Sequence, residues 1–357
     1  MLRAVLLFLA FSAVSAYQCN GTTTIETPSD LSQPTFYPLG WNENQPVPQI
    51  DPDQACALYV NITQGVYATV TFYRQFGRTG GMYVLYSNNK IELLEDNDPN
   101  PFIFVAPNFK LNFGSYKELG YNSNGFAFKI VWAQYPAIKQ NVVNIYKGAA
   151  PVAVSANNAL TSFIGATNSL ISLVAFSLAD PSTNALLRQS AVYAGDSVNG
   201  EFVGTLGQVV SSQTKLTTYK NKMSVYTFGL SQTIDSPLFM AQDWNDGKGP
   251  WIYKGANCPS AGRCNVTLNG NADKAMTVTD FDGVETIQDF NAFPPQTVIN
   301  VYENNYSNTT CIATLTSVAF RQQLPIRVKG TLKYYEMIGM GHCEMVVTRE
   351  TSRASRL

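Results

Sequence analysis

The stretch Tyr67–Phe76, YATVTFYRQF, decides the fold class. Ala68, Val70, Phe72 and Phe76 fall on one face, with Arg74 the single polar residue among them. Thr69, Thr71 and Gln75 fall on the other, beside Tyr67 and Tyr73. Successive side chains of a strand point to opposite faces, so this period of two predicts a half-buried antiparallel strand. Outward from it, Leu170–Leu178 (LISLVAFSL) repeats the pattern, with Leu170, Val174, Phe176 and Leu178 on one face. Phe126–Gln134, Met223–Leu230, Val298–Tyr302 and Thr331–Met337 add further strands. Turn clusters such as Gly77–Gly81, Asn97–Pro101 and Asn122–Gly125 separate the runs. Aromatics at 12%, with 19 Tyr and 20 Phe, suit strands. Many short strands with frequent turns and no long amphipathic helix predict an all-β chain of packed sandwiches.

The N-terminus reads as a secretory signal over residues 1–16. Arg3 supplies its positive end, Ala4–Ala13 an apolar run too short to cross a bilayer, and Val14, Ser15 and Ala16 the small residues before cleavage. An uncleaved anchor is the rival reading; the run is short and no stop-transfer pattern follows. Leu170–Leu178 is apolar but ends at strand length before Asp180 and Pro181. The tail Thr348–Leu357 lacks the hydrophobic segment a GPI anchor requires. The expectation is a secreted, extracellular protein without a transmembrane or GPI anchor, with peripheral membrane association left open. A net charge of −1 supplies no field for nucleic acid or anionic lipid.

All six cysteines, Cys19, Cys56, Cys258, Cys264, Cys311 and Cys343, follow the signal, and an even count there predicts disulfides. Cys19–Cys56 is the expected first bridge. The last four allow three connectivities; the favoured one closes the short loop Cys258–Cys264 and joins Cys311 to Cys343. A zinc site is the alternative for these four, but the spacing lacks two close pairs. Five N-glycosylation sequons begin at Asn20, Asn61, Asn265, Asn305 and Asn308 and are expected at the surface.

Three segments follow the signal: 17–136 with the first cysteine pair, 137–236 without cysteine, and 237–357 with four cysteines. The first two read as a weak repeat. Tyr83–Tyr86 before Ser87 and Asn88 matches Ala191–Ala194 before Gly195 and Asp196, and Asn108–Phe113 matches Lys222–Phe228.

On these residues the chain resembles the nematode secreted proteins with CUB-like domains. The resemblance is carried by Cys19, Tyr37 with Pro38, Trp41, Cys56–Val60 (CALYV), Gly65–Phe72 (GVYATVTF), Asn108–Phe113 (NFKLNF) and Gly125 with Phe126. In the second segment it is carried by Val192–Gly195 (VYAG) and Glu201–Leu206 (EFVGTL). It covers about two thirds of the chain and rests on the ordered series, since each motif alone is weak. The resemblance implies tandem CUB-like jelly-roll β-sandwich modules, here followed by a third cysteine-containing β-rich domain. It also implies secretion, often from intestinal tissue, and induction by infection or stress. Two departures stand out. The first segment has one cysteine pair and the second none, where many CUB domains have two. Ala194 stands where the calcium-binding pattern places a carboxylate.

The only histidine, His342, is expected at a surface or strand end; no glycine-flanked serine accompanies it, and metalloprotease chemistry requires a second histidine. Glu92, Glu95, Asp96 and Asp98 form one acidic cluster, and Asp280 and Asp282 bracket Phe281. Both are expected as solvated loops; Glu95, Asp96, Asp98, Asp280 and Asp282 are the candidate calcium ligands, and a glycosidase would need two carboxylates facing across a cleft. Trp244 and Trp251 flank a glycine-rich loop. The expectation is that both rings plug the joint between the second and third segments, with a sugar-stacking platform as the alternative. Trp41 and Trp132 are expected in the core. These signs favour a non-enzymatic recognition protein without cofactor, in defence by resemblance, with an extracellular protein or glycan as partner. A lectin-like glycan binder is the second reading and a carboxylate-dependent hydrolase the third.

Overall fold

The computed structural model describes residues 17–19, 21–76, 80–115, 124–230, 234, 236–259, 261–270 and 274–351. The signal segment 1–16, the sequon at Asn20 and parts of the turns at 77–81 and 122–125 lie outside them. The described residues are 53% strand and 7% helix, which makes this an all-β fold. It divides into two compact units, Met1–Gln134 and Tyr135–Leu357. The boundary expected at 236/237 falls inside the second unit.

The first unit contains strands β1 (Thr22–Ile25), β2 (Thr35–Tyr37), β3 (Gln54–Asn61), β4 (Val66–Gln75), β5 (Gly80–Tyr86), β6 (Ile91–Leu94), β7 (Phe102–Val105), β8 (Asn108–Ser115) and β9 (Gly125–Gln134). They form two sheets, β1-β3-β8-β5-β6 and β2-β9-β4-β7. In β4 the expected alternation holds: Val66, Ala68, Val70 and Phe72 are buried, while Tyr67, Thr69, Thr71 and Tyr73 are half-buried. The sheets close on an aromatic core. Phe104 and Phe109 stack with centroids 3.8 Å apart, and Phe126 lies 4.3 Å from Phe113 and 6.1 Å from Phe72. Each fully buried ring contributes about 1.5–3 kcal/mol through removal of apolar surface from water. Trp41 and Trp132 are in this core, and each indole N–H finds an acceptor: the Pro46 carbonyl at 3.0 Å and Thr35 Oγ1 at 2.9 Å. The Cys19–Cys56 disulfide ties the N-terminal segment to β3.

The second unit opens with β10 (Lys139–Asn144), β11 (Ala153–Ser155), β12 (Ala159–Ile164), β13 (Ile171–Ser177), β14 (Ala191–Ala194), β15 (Glu201–Gly204), helix α1 (Leu206–Ser212), β16 (Leu216–Thr217), β17 (Lys222–Tyr226) and β18 (Pro237–Asp243). Their sheet paths are β10-β12-β17-β14-β15 and β11-β18-β13-β16. Strand for strand this is the first unit again: β10 to β18 take the places of β1 to β9, including the parallel edge pair, β1 with β3 and β10 with β12. The local matches read from sequence fall on equivalent strands, β5 with β14 and β8 with β17. The repeat carries additions of its own. A 3₁₀ helix, Pro181–Arg188, follows β13, and α1 is capped by Thr205 Oγ1, which accepts from the Gln208 N–H at 3.1 Å.

The chain continues with β19 (Ile252–Ala256), β20 (Gly262–Gly270), β21 (Lys274–Asp280), β22 (Gly283–Ala292), β23 (Val298–Glu303), β24 (Cys311–Thr316), β25 (Ile326–Val328), β26 (Leu332–Ile338) and β27 (Gly341–Thr351). The path β20-β27-β22-β25 is a separate sheet, whereas β19-β21-β26-β23-β24 extends the sheet that holds β13. The join is a parallel pairing of Phe176 with Gly255 and Ser177 with Ala256. A Cβ on Gly255 would stand 2.6 Å from the Phe176 ring, so the close approach requires glycine. As a result β13 is buried on both faces, with Ile171, Leu173 and Ala175 in one core and Val174 and Phe176 in another. The sequence reading gave Leu170–Leu178 a single apolar face; a central strand between two cores needs two.

A third core contains a buried ion pair. Arg349 reaches Glu285 Oε1 at 2.7 Å, and Tyr335 and Thr279 hydroxyls donate to Glu285 Oε2 at 2.7 and 2.8 Å. Arg349 also donates to the Cys258 carbonyl at 2.8 Å. The charges are tolerated because each is hydrogen-bonded to named partners.

Cys258 and Cys264 form the expected bridge. The expected Cys311–Cys343 bridge does not form; both thiols are free. The cause is a bulge in β24. Ala313 pairs with Val301, but Cys311 pairs with Tyr302, leaving Ile312 extra. This turns Cys311 to the face holding Tyr302 and Tyr306, while Cys343 lies in the core on the opposite face. Burial pushes the Cys343 thiol up to about 12.

Candidate functional site

Two surfaces, one in each unit, present side chains that solvent alone does not explain. The first is the outer face of β1-β3-β8-β5-β6. Inward residues of these strands fill the core, so their neighbours in sequence face out. Register places Ala57, Asn112, Tyr83 and Leu93 in one row across β3, β8, β5 and β6. The adjacent row is Tyr59, Lys110, Leu85 and Ile91, with Lys110 Nζ 4.8 Å from the Tyr59 ring centroid. Leu93 is 76% exposed and Ile91 63%. Ala55, Ala57 and Gly81 help line a shallow hollow of about 370 Å³, with Tyr83 and Leu93 also bordering it. Sequence analysis missed this face, although the alternation that buries Leu58, Val60, Met82 and Val84 implies it.

The second surface is a cleft of about 840 Å³ where the end of α1 meets the starts of β19 and β27 and the end of β20. Trp251 stands at 76% exposure, so the expectation that it plugs a joint is overturned. The loop through Gly249 and Pro250 delivers its ring to solvent, while the next residue but one is fixed: the Tyr253 N–H donates to the Gln213 carbonyl at 2.9 Å. Trp244 does not share the cleft; it is half-buried, with Lys248 Nζ 5.0 Å from its ring centroid. His342 lies at the start of β27, exposed as expected, with Nδ1 2.6 Å from Asn269 Oδ1 and Nε2 3.8 Å from Glu344 Oε2. Glu344 Oε1 also accepts from Asn265 at 2.7 Å and Asn291 at 2.9 Å.

The acidic candidates separate into two environments. In the first unit Asp96 accepts from the Phe76 N–H at 3.0 Å, and Asp98 Oδ2 accepts from the Glu95 N–H at 2.7 Å and lies 3.9 Å from Arg74. Glu92 accepts from the Tyr86 hydroxyl at 2.5 Å. These carboxylates close their own loop. In the second unit Asp280 and Asp282 border a hollow of about 590 Å³ with Asp180 and Arg349. Burial raises the Asp280 carboxyl above its ordinary range against the pull of Lys333 and Arg349. Among the described residues no three His, Cys, Asp or Glu side chains are gathered to hold a metal.

Of the described sequons, Asn265 and Asn308 are exposed and Asn61 and Asn305 half-buried. Asn61 donates to Glu26 at 2.8 Å.

Among the described residues no helix is long and apolar enough to cross a membrane. No curated protein matches the chain. Among solved structures it is similar to the CUB1-EGF-CUB2 domains of rat MASP-1, at 8% identity and a TM-score of 0.25, covering 62% of this chain and 99% of that one. The CUB1-EGF-CUB2 domain of human MASP-1/3 gives 8% identity and 0.22, covering 59% and 98%. The full extracellular region of zebrafish Gpr126/Adgrg6 gives 10% identity and 0.24, covering 94% and 53%. Residues 14–136 match the family described as CUB-like domain.

Proposed function

We propose that the chain is a secreted, glycosylated, non-catalytic recognition protein that acts in defence through protein contacts of its CUB-like domain. The observation that carries this reading is the outer face of the first domain, where Tyr59, Tyr83, Ile91 and Leu93 are exposed together on one sheet face. Apolar groups clustered on a rigid sheet, rimmed by polar ones, are the usual form of a protein-binding surface. The match of residues 14–136 to the CUB-like domain family, and two disulfides suited to an oxidising compartment, support it. The defence role rests on the family resemblance. The second sandwich, whose strand order repeats the first, is read as a further CUB-like module.

The test is binding of the purified full chain to intact bacteria and to host extracellular proteins, with Leu93→Asp as the paired variant. Saturable binding that Leu93→Asp weakens about tenfold or more, with thermal stability unchanged, supports the reading. Absence of binding to either class, or binding that Leu93→Asp leaves intact, overturns it.

A further inference from the structure

We propose that the cleft at Trp251 is a carbohydrate site that takes a neutral sugar ring stacked on the indole. A ring of this size in water is costly to maintain, and Trp251 is held there by fixed neighbours on each side. Behind it, Tyr253 is tied to Gln213, whose backbone adopts the left-handed conformation at the end of α1. Across the cleft, Gly341 has a φ of 122°, and a Cβ there would stand 2.9 Å from Pro294. The start of β27 is therefore fixed, and with it His342.

The lining defines the ligand chemistry. Asn269 and His342 offer an amide and an imidazole already paired at 2.6 Å, and Ser212 and Thr214 offer hydroxyls 3.0 Å apart. No lysine, arginine, aspartate or glutamate lines the cleft among the described residues. A phosphate or sulfate would find no lysine or arginine, and an extended apolar segment would leave the remaining donor and acceptor capacity of these polar groups unused. A neutral pyranose meets both requirements: its C–H face covers the indole, and its hydroxyls both donate to and accept from amide, imidazole and hydroxyl groups. The acidic hollow at Asp280 is separate in its lining and its charge and takes no part.

The site lies outside the CUB-like domain, so it stands or falls separately from the protein-binding face. The experiment uses the full chain on a printed panel of neutral, sialylated and sulfated oligosaccharides in the presence of EDTA. The strongest neutral binder is then titrated by tryptophan fluorescence. Saturable binding of a neutral oligosaccharide is expected, weakened about tenfold or more by Trp251→Ala. Trp251→Tyr should retain most of it, and Leu93→Asp all of it. Trp251 is exposed, so the variants should melt with the parent protein, and Asn269→Ala provides a second variant with the ring in place. Binding to charged oligosaccharides only, to none, or unchanged in Trp251→Ala and Asn269→Ala overturns the site.

Discussion

The first and second sandwiches share a strand order and differ in what covers the same sheet face. In the first, the row Ala57–Asn112–Tyr83–Leu93 is open, with Tyr83 38% and Leu93 76% exposed. In the second, the row Ser162–Ser224–Tyr193–Phe202 crosses the equivalent strands, with Tyr193 1% and Phe202 7% exposed. Tyr135 takes part in the cover: its hydroxyl lies 2.5 Å from that of Tyr193, and its ring packs against Tyr226 and Phe228. Burial with the Tyr135 partner raises the Tyr193 phenol well above its ordinary range. One backbone pattern thus supports either a recognition face or a buried layer, and the choice is made by side chains outside the pattern.

The largest expected effect tests that contrast directly. Tyr193→Ala should destabilise the second unit by about 3–5 kcal/mol, as truncation of a fully buried ring does. Tyr83→Ala, on the corresponding face, should change stability by less than about 1 kcal/mol. Denaturant titration of both variants checks the pair; equal costs would break the comparison. Next comes the staple. The first sandwich is tied by Cys19–Cys56, whereas the second has no cysteine between β10 and β18. Cys19→Ser with Cys56→Ser should cost about 2–4 kcal/mol, confined to the first unit. Hydrogen exchange should show faster opening there and none in β12 to β17.

The smallest effect is one of pH. Burial pushes the Glu336 carboxyl up, but hydrogen bonds from Asn300, Tyr306 and Tyr302 at 2.9, 2.6 and 2.7 Å, together with Lys274, bring it below its ordinary range. The folded state therefore holds this proton less tightly than the unfolded one. Its stabilisation is complete above the ordinary carboxylate range and is lost as pH falls through the folded value. Glu336→Gln should melt with a flatter acid limb than the parent protein, and an unchanged limb would remove this carboxylate from the acid sensitivity.

Much of the fold was legible. The alternation in Tyr67–Phe76 placed Ala68, Val70 and Phe72 inward, and the faint match of Tyr83–Tyr86 to Ala191–Ala194 fell on equivalent strands. Two bridges were legible: Cys19–Cys56 because the first segment holds no other cysteine, and Cys258–Cys264 because its loop is short. The third failed because one extra residue, Ile312, reverses the face of Cys311, and periodicity carries no record of a bulge before pairing is known. Trp251 failed for a related reason. A large ring is usually buried, and its exposure depends on α1 and β27, which are distant in sequence.

What the sequence determined alone was local: the period of two, the turns between strands, and the short loop closed by Cys258 and Cys264. These depend on backbone geometry within a few residues. What the tertiary structure decided was which faces remain in water. Tyr83 and Tyr193 lie in similar strands, yet the first is exposed and the second covered; Trp251 and Trp244 flank one loop, yet the first is exposed and the second half-buried. Exposure is set by what packs across a sheet from remote parts of the chain, and no local pattern encodes that.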